Sequence, residues 1–265
     1  MIRRPPKSTT VVGPPNTLNA TSRRRALTRL LTTWTLDART VHYGVVDLYD
    51  VMRTTAAVRE FTDDPLPDDV LERILDNARF APSGGNRQGA RIIVIRDRAT
   101  RQALADLTAT GARRYAAQLA NGESPWNPLH APGPTAAQIA ATEVPSQFTA
   151  PLHDAAVVLV ACVDLEVVAA LDQNLDRIGL ISGASIYPLV WNILLAARNE
   201  GYGGTITTMA VAEEPRIREL LGVPESYAVA AVLPLGKPRK QLTKLRRASV
   251  AELATRERFD GPPFG

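Results

Sequence analysis

Four separated stretches of the chain carry residues whose types and spacing suit a bound ligand. The first is Arg53-Thr54-Thr55-Ala56-Ala57-Val58-Arg59-Glu60-Phe61. The second is Ala81-Pro82-Ser83-Gly84-Gly85-Asn86-Arg87-Gln88. The third is Gly201-Tyr202-Gly203-Gly204-Thr205-Ile206-Thr207-Thr208, and the fourth is the basic tail from Lys237 to Arg247. In the second stretch, Pro82 ends a helix and Gly84-Gly85 permit positive φ. Ser83, Asn86 and Gln88 cluster donors and acceptors, and the glycines let a flat group approach the backbone. A heterocycle edge with alternating carbonyls and ring nitrogens needs such partners, because a buried polar edge is costly when unpaired. The third stretch again combines glycines with threonine hydroxyls. The arginines of the fourth suit a phosphate, since the planar guanidinium donates two hydrogen bonds at once. Each stretch alone has a plainer reading. The second would be a connector, the third a helix cap before a strand, the fourth a solvated positive run, and Arg59 half of a surface ion pair.

Other chemistries are poorly served. His42, His130 and His153 are the only histidines, and they lack metal-ligand spacing. His130 is a candidate pocket residue, with ordinary surface as its alternative, and His153 is structural. Trp126 and Tyr187 are candidates to shape an acceptor pocket, with core packing the equal alternative for Tyr187. No glycine-rich phosphate fingerprint follows the first strand, and no Walker-type loop occurs. Cys162 lies in an aliphatic run and reads as a small core residue. One cysteine cannot form an internal disulfide, so the chain reads as intracellular and a cytoplasmic location is expected. No stretch approaches the roughly 18 apolar residues of a membrane helix. The formal net charge is +4. Residues 1–45 hold eight Arg or Lys against one acid, Asp37, so the remaining chain carries a net −3. A nucleic-acid surface needs a basic face on the folded body, which that balance disfavours.

The chemistry-bearing stretches require a scaffold. Asp68 to Ala81 places Val70, Leu71, Ile74, Leu75 and Ala78 on one helical face. Pro65 and Pro67 precede it, and Asp68, Asp69 and Glu72 favour its N-terminus. Arg91 to Arg96 reads as a strand and Ala99 to Ala120 as a helix. Residues 121–150 hold five prolines and little periodicity, which suggests a lid or inserted excursion. Ala155 to Val163 is a buried strand, and Ser182 to Arg198 a strongly apolar, central helix. Glu213 to Leu221 is a short helix ending at Gly222, and Tyr227 to Leu235 a second buried strand. The C-terminal extension runs from 236 to 265. This order suits a mixed β-sheet flanked by helices, in an α+β domain spanning 46–265. Residues 1–45, rich in Arg, Thr and Pro, read as a disordered leader or a non-native N-terminal extension. A targeting segment and a nucleic-acid-binding arm are the alternatives. Ser22-Arg23-Arg24-Arg25-Ala26-Leu27 looks like a twin-arginine signal, but the following apolar stretch is short and carries threonines.

From about Leu48 to the end, the chain resembles the flavin-dependent nitroreductase family. The resemblance rests on Val58-Arg59-Glu60-Phe61, on Ala81 to Gln88, and on the helix Ser182 to Arg198 running into Gly203-Gly204-Thr205, in the family's order. The Pro-Ser-x-x-Asn-x-Gln pattern is its most specific part. The resemblance implies a homodimer with FMN at the subunit interface and a C-terminal extension wrapping the partner. It implies two-electron transfer from NAD(P)H to a small organic acceptor by a ping-pong mechanism, with no protein group acting as catalyst and no metal. A nitroaromatic acceptor is the first expectation; an enone, quinone or halogenated phenol, or a flavin-sequestering protein with little turnover, are alternatives. A non-flavin regulatory or interaction domain is a further one. By position, Arg59 is implied at the N1/O2 side of the flavin, where a cation stabilises the reduced ring. Pro82, Ser83 and Gly84 are implied along the ring and ribityl chain, Asn86 at the pyrimidine edge or ribityl, and Gln88 nearby. Gly203, Gly204 and Thr205 are implied on the other side of the ring, and Arg247, with Arg246 or Lys244, at the phosphate. The phosphate positions ahead of Arg59 depart from the family: Thr55, Ala56 and Ala57 stand where an arginine and a serine are usual. Arg53, or the Thr54 and Thr55 hydroxyls, are candidates to compensate. A lost charge-assisted contact costs about 1.5–3 kcal/mol.

Overall fold

The structure is a computed structural model that describes residues 47–265; the expectations attached to the basic leader lie outside the described residues. In chain order the elements are α1 (Leu48–Thr54), α2 (Asp68–Ala78), β1 (Ala90–Ile95), α3 (Arg98–Ala120), α4 (Ala136–Ala141) and α5 (Ala150–Asp154). They continue with β2 (Val157–Asp164), α6 (Tyr187–Asn199), β3 (Gly203–Gly204), α7 (Glu214–Leu221), β4 (Tyr227–Gly236) and α8 (Val250–Leu253). Local chemistry sets several boundaries. The Asp97 carboxylate accepts the Thr100 N–H and starts α3. Thr135 and Gln138 form a capping box at α4. The apolar stretch from Ser182 begins as a 3₁₀ turn, and α6 proper starts at Tyr187 with Pro188 in its first turn, where a missing N–H does no harm.

The strands form one sheet in the order β1-β2-β4-β3, with every neighbouring pair antiparallel. A single parallel bridge, Ala57 to Gly204, makes the sheet mixed at its edge. β2 is buried along nearly its whole length and divides the core. Val157, Leu159, Ala161 and Val163 face α2 and α6, meeting Leu71, Ile74, Val190 and Ile193. Val158, Val160 and Cys162 face α3 and α7, meeting Leu104, Leu107 and Ile217. Each fully buried aliphatic chain contributes about 1.5–3 kcal/mol. β4 has a bulge opposite Ala161/Cys162, where the register passes from Ala231 to Val229. The extra residue, Ala230, keeps both faces supplied, so Val229 and Ala231 fall in opposite layers. The Tyr187 hydroxyl donates to the Ala230 carbonyl at the bulge. Among the described residues no helix is long and apolar enough to cross a membrane.

Candidate functional site

The extended segment 57–62 is held on both sides by backbone pairing. The Val58 N–H donates to the Gly204 carbonyl at 2.8 Å. The Thr62 N–H donates to the Lys237 carbonyl, and the Arg239 N–H to the Glu60 carbonyl. Two glycines make room for this segment. A Cβ on Gly203 would lie 2.8 Å from Val58 Cγ2, and one on Gly236 would lie 2.8 Å from the Phe61 ring. Gly203 and Gly204 are both buried in the sheet edge. Their small size is therefore required by chain packing, and what they position is Arg59.

Arg59 stands between two neighbouring cavities that share it, Gln147 and Pro151 as a common wall. The larger, about 490 Å³, is bounded by Ala56, Ala57, Glu60, Asp154, Lys240 and Leu242. The smaller, about 150 Å³, lies between Tyr115 and Phe148 on one side and Thr205 to Met209 on the other. Among the polar side chains of these walls without a hydrogen-bond partner among the described residues, which include Gln147, Thr207, Thr208 and Lys240, two lie on the sheet-edge segments just described. One is the Arg59 guanidinium; the other is the hydroxyl of Thr205, a residue only 5% exposed. The Thr205 hydroxyl is not among the buried unpartnered atoms, so it reaches the cavity, where a ligand can supply its partner.

Of the residues expected to compensate at a phosphate, the structure engages two elsewhere. Thr55 is buried and its hydroxyl donates to the Val51 carbonyl. The Thr54 hydroxyl donates to the Asp50 carbonyl and accepts from Arg198 Nε. Arg53 lies over the Tyr49 ring at 5.9 Å. Arg246 and Arg247 are exposed and line neither cavity; Arg247 Nη1 donates to the Arg246 carbonyl. Lys240 lines the larger cavity beside Ala56 and Ala57. Nothing in a basic tail distinguishes in the sequence the one lysine that borders the cavity.

The second stretch folds into a strained, hydrogen-bonded turn. Gly85, Asn86 and Gln88 all have positive φ, at 60°, 53° and 52°. Such backbone is uncommon outside glycine and concentrates at functional loops. Ser83 Oγ accepts the Gln88 N–H, and Ser185 Oγ accepts the Gly84 N–H at 3.1 Å. Gln88 Nε2 donates to Asn86 Oδ1. Pro82 is exposed beside the turn. This turn does not meet Arg59 within the chain. It adjoins Gly89, whose carbonyl accepts the Asp164 N–H at the C-terminal end of β2. Gly204 instead pairs with Leu235, which lies opposite Val157 at the N-terminal end of β2. Six residue steps separate Val157 from Val163, or about 20 Å at roughly 3.3 Å per residue. The length of α6 gives the same span, since Ser185 precedes it and Gly203 follows it.

The excursion at 121–150 is anchored on one face of α3. Gly111 accepts the Trp126 Nε1–H, Arg114 lies 3.9 Å from the Trp126 ring centroid, and Gln118 accepts the Trp126 N–H. Tyr115 meets Phe148 edge-on at 5.3 Å. The excursion thereby brings Gln147 and Phe148 to the cavities. His130 lines a separate hollow near Glu123, away from Arg59, and among the described residues no His, Cys, Asp and Glu group could hold a metal. Burial, with Glu214 adding to it, pushes the Cys162 thiol up to about 11, as befits a core residue.

Comparisons with known proteins give the arrangement a family. The profile of the nitroreductase family matches residues 52–237. An NADH dehydrogenase of Thermus thermophilus is 27% identical over 224 residues, covering 74% of this chain and 89% of that protein. In fold, the chain is similar to nitroreductase A from Vibrio parahaemolyticus, with a TM-score of 0.58, 20% identity, and coverage of 80% of this chain and 76% of that one. It is also similar to an iodotyrosine deiodinase bound to FMN and 3-iodo-L-tyrosine, with a TM-score of 0.55, 20% identity, and coverage of 77% and 96%. The paired segment carrying Arg59, the Gly203-Gly204 sheet edge and the turn at Ser83 lie within the matched span, and the chain belongs to the nitroreductase family.

Proposed function

We propose that the protein is an FMN-dependent oxidoreductase that passes two electrons from NAD(P)H to a small organic acceptor. The observation that carries this reading is the pair of cavities that adjoin at Arg59, with Thr205 on the wall of the smaller and Lys240 on that of the larger. The residues fit the cofactor. The larger cavity has the volume of a ligand site, and its Arg59 and Lys240 offer positive charge, although Glu60 and Asp154 share its wall. When bound, FMN supplies the redox chemistry, accepting a hydride equivalent and giving it up again. Arg59 holds the pyrimidine side and stabilises negative charge there. Lys240 faces the room left by Ala56 and Ala57 and offers the phosphate its cation; Arg246 and Arg247 lie outside both cavities. Ser83, Asn86 and Gln88 present donors and acceptors to the heterocycle edge. A single buried cysteine suits the reducing cytoplasm.

The same geometry supports a homodimer. One ligand cannot touch both Arg59 and the Ser83 turn when about 20 Å separates them. A second chain laid antiparallel along α6 brings its Ser83 turn to the first chain's Arg59. The exposed face of α6 presents Tyr187 and Trp191, and α1 adds Leu48, Tyr49 and Met52. Phe259, wholly exposed in the C-terminal extension, suits a segment that reaches over a partner.

The visible spectrum of freshly purified protein tests the assignment. Absorbance maxima of a bound flavin, identified as FMN after release, and rapid anaerobic bleaching by NADH or NADPH are expected. A colourless protein that FMN neither binds nor stabilises against heat overturns it. A second reading, flavin sequestration with little turnover, is favoured by the engaged Thr54 and Thr55 hydroxyls. It predicts bound FMN without fast bleaching. Nitroarenes, enones, quinones and halogenated phenols all remain candidate acceptors, the last class being represented by the ligand of the iodotyrosine deiodinase.

A further inference from the structure

The turn at Ser83 carries strain that it does not hold alone. Asn86 and Gln88 are non-glycine residues at positive φ, and such backbone persists only where its surroundings over-determine it. Those surroundings are the two arms of the loop between β2 and α6. On the first arm, the Val167 carbonyl accepts from Arg87 Nη1 at 3.1 Å, and the Asp164 N–H donates to the Gly89 carbonyl. On the second, Ser185 Oγ accepts the Gly84 N–H. Both arms close on Gly84, where a Cβ would lie 3.3 Å from Ser185 Oγ and 3.7 Å from Ala169 Cβ.

Apolar packing does not join the arms. Leu171, Leu175, Ile178, Leu180 and Ile181 are all exposed, and among the described residues 171–181 only Asp172 is buried. Its Oδ2 accepts the Leu180 N–H at 2.7 Å, the Ile181 N–H at 3.3 Å and Arg177 Nη1 at 2.8 Å. Bonds to an ionised oxygen are stronger than neutral ones. They tie residue 172, just past the first arm, to the start of the 3₁₀ turn Ile181–Ser185 that carries Ser185. We propose that Asp172 is a positioning residue for the flavin site, clamping the two arms together so that the Ser83 turn keeps its shape. This rests on the flavin reading, in which that turn serves the cofactor. Asp172 belongs to neither layer of the core, so its replacement slackens the turn without dissolving the sheet.

Amide exchange of the purified full chain tests the clamp, because the Gly84 and Gln88 N–H groups report the turn and those of β2 report the core. Asp172→Ala is expected to speed exchange at Gly84 and Gln88 by at least about tenfold while β2 stays protected. Asp172→Asn, which keeps the volume and one acceptor oxygen, should fall between Asp172→Ala and the unaltered chain. In equilibrium dialysis FMN should bind Asp172→Ala about tenfold more weakly, the effect of one hydrogen bond. Mixed dimers then separate positioning from general damage. Asp172 and the Ser83 turn of one chain serve the same site. Asp172→Ala paired with Arg59→Ala should therefore retain one FMN site of full affinity, and Asp172→Ala paired with Asn86→Ala none. Faster exchange at Leu180 and Ile181 with Gly84 and Gln88 unchanged overturns the proposal, as does loss of protection along β2 in both Asp172 variants. Equal flavin retention in the two mixed dimers overturns it as well. If the unaltered chain binds no FMN, the flavin reading fails on its own, and exchange at Gly84 still decides the clamp.

Discussion

Arg59 is held by backbone pairing on both flanks, yet its own guanidinium has no partner among the described residues. Its removal should therefore barely change folding. Arg59→Ala is expected to leave the melting temperature within about 2 °C while weakening FMN by about 10- to 100-fold, the loss of one charge-assisted contact of roughly 1.5–3 kcal/mol. Equilibrium dialysis and a thermal melt read the two quantities separately. Cys162 offers the opposite case, a reactive atom type kept inert. Burial favours the neutral thiol and raises its titration to about 11. At pH 8 very little thiolate forms, and iodoacetamide should modify no cysteine in the native protein and one after unfolding.

At the scale of elements, the loop between β2 and α6 is organised by Asp172. This carboxylate is buried and accepts the Leu180 and Ile181 N–H groups and Arg177 Nη1. The Leu180 N–H first, then Arg177 and more weakly the Ile181 N–H, hold it at about 2, below the usual 3.8. A depressed carboxylate contributes its stability above the unfolded value and loses it as protons bind, so the loop should loosen as pH falls from about 4 towards 2. Amide exchange at Leu180 and Ile181 measures this. Trp126 ties the 121–150 excursion to α3. Trp126→Ala should speed amide exchange through that excursion and cost on the order of 1–2 kcal/mol, less than a fully buried aromatic. Such elements were unevenly legible in the sequence. The unbroken apolar run of Ala155 to Val163 and the apolar face of Asp68 to Ala81 announced β2 and α2, because a strand buried on both faces is apolar throughout and a half-buried helix is apolar every third or fourth residue. Lys240, Tyr115 and Phe148 had no such mark. Their roles arise where distant segments meet, and single positions carry no period. The reason for Gly203 was also hidden, since only the three-dimensional pairing shows Val58 lying against it.

For the whole molecule, the separation of Arg59 from the Ser83 turn predicts shared sites. Mixed dimers of an Arg59→Ala chain with an Asn86→Ala chain should hold one FMN at full affinity, because one site then draws its intact Arg59 and its intact turn from different chains. Homodimers of either variant should hold none at that affinity. Isotope-tagged mixed dimers and flavin counting settle the matter. Trp191→Glu should shift sedimentation from dimer to monomer and release flavin with it. A chain beginning at Val46 should match the full-length protein in both tests.

The contact between Gly203 and Val58 also constrains how this chain drifts over generations. With 2.8 Å available for any added methyl, alanine at position 203 is tolerable only in a lineage that has already exchanged Val58 for something smaller. The reverse order passes through a damaged intermediate. Substitutions at the two positions should therefore occur in a fixed succession in any descendant, and the valine acts as a historical lock on the glycine opposite.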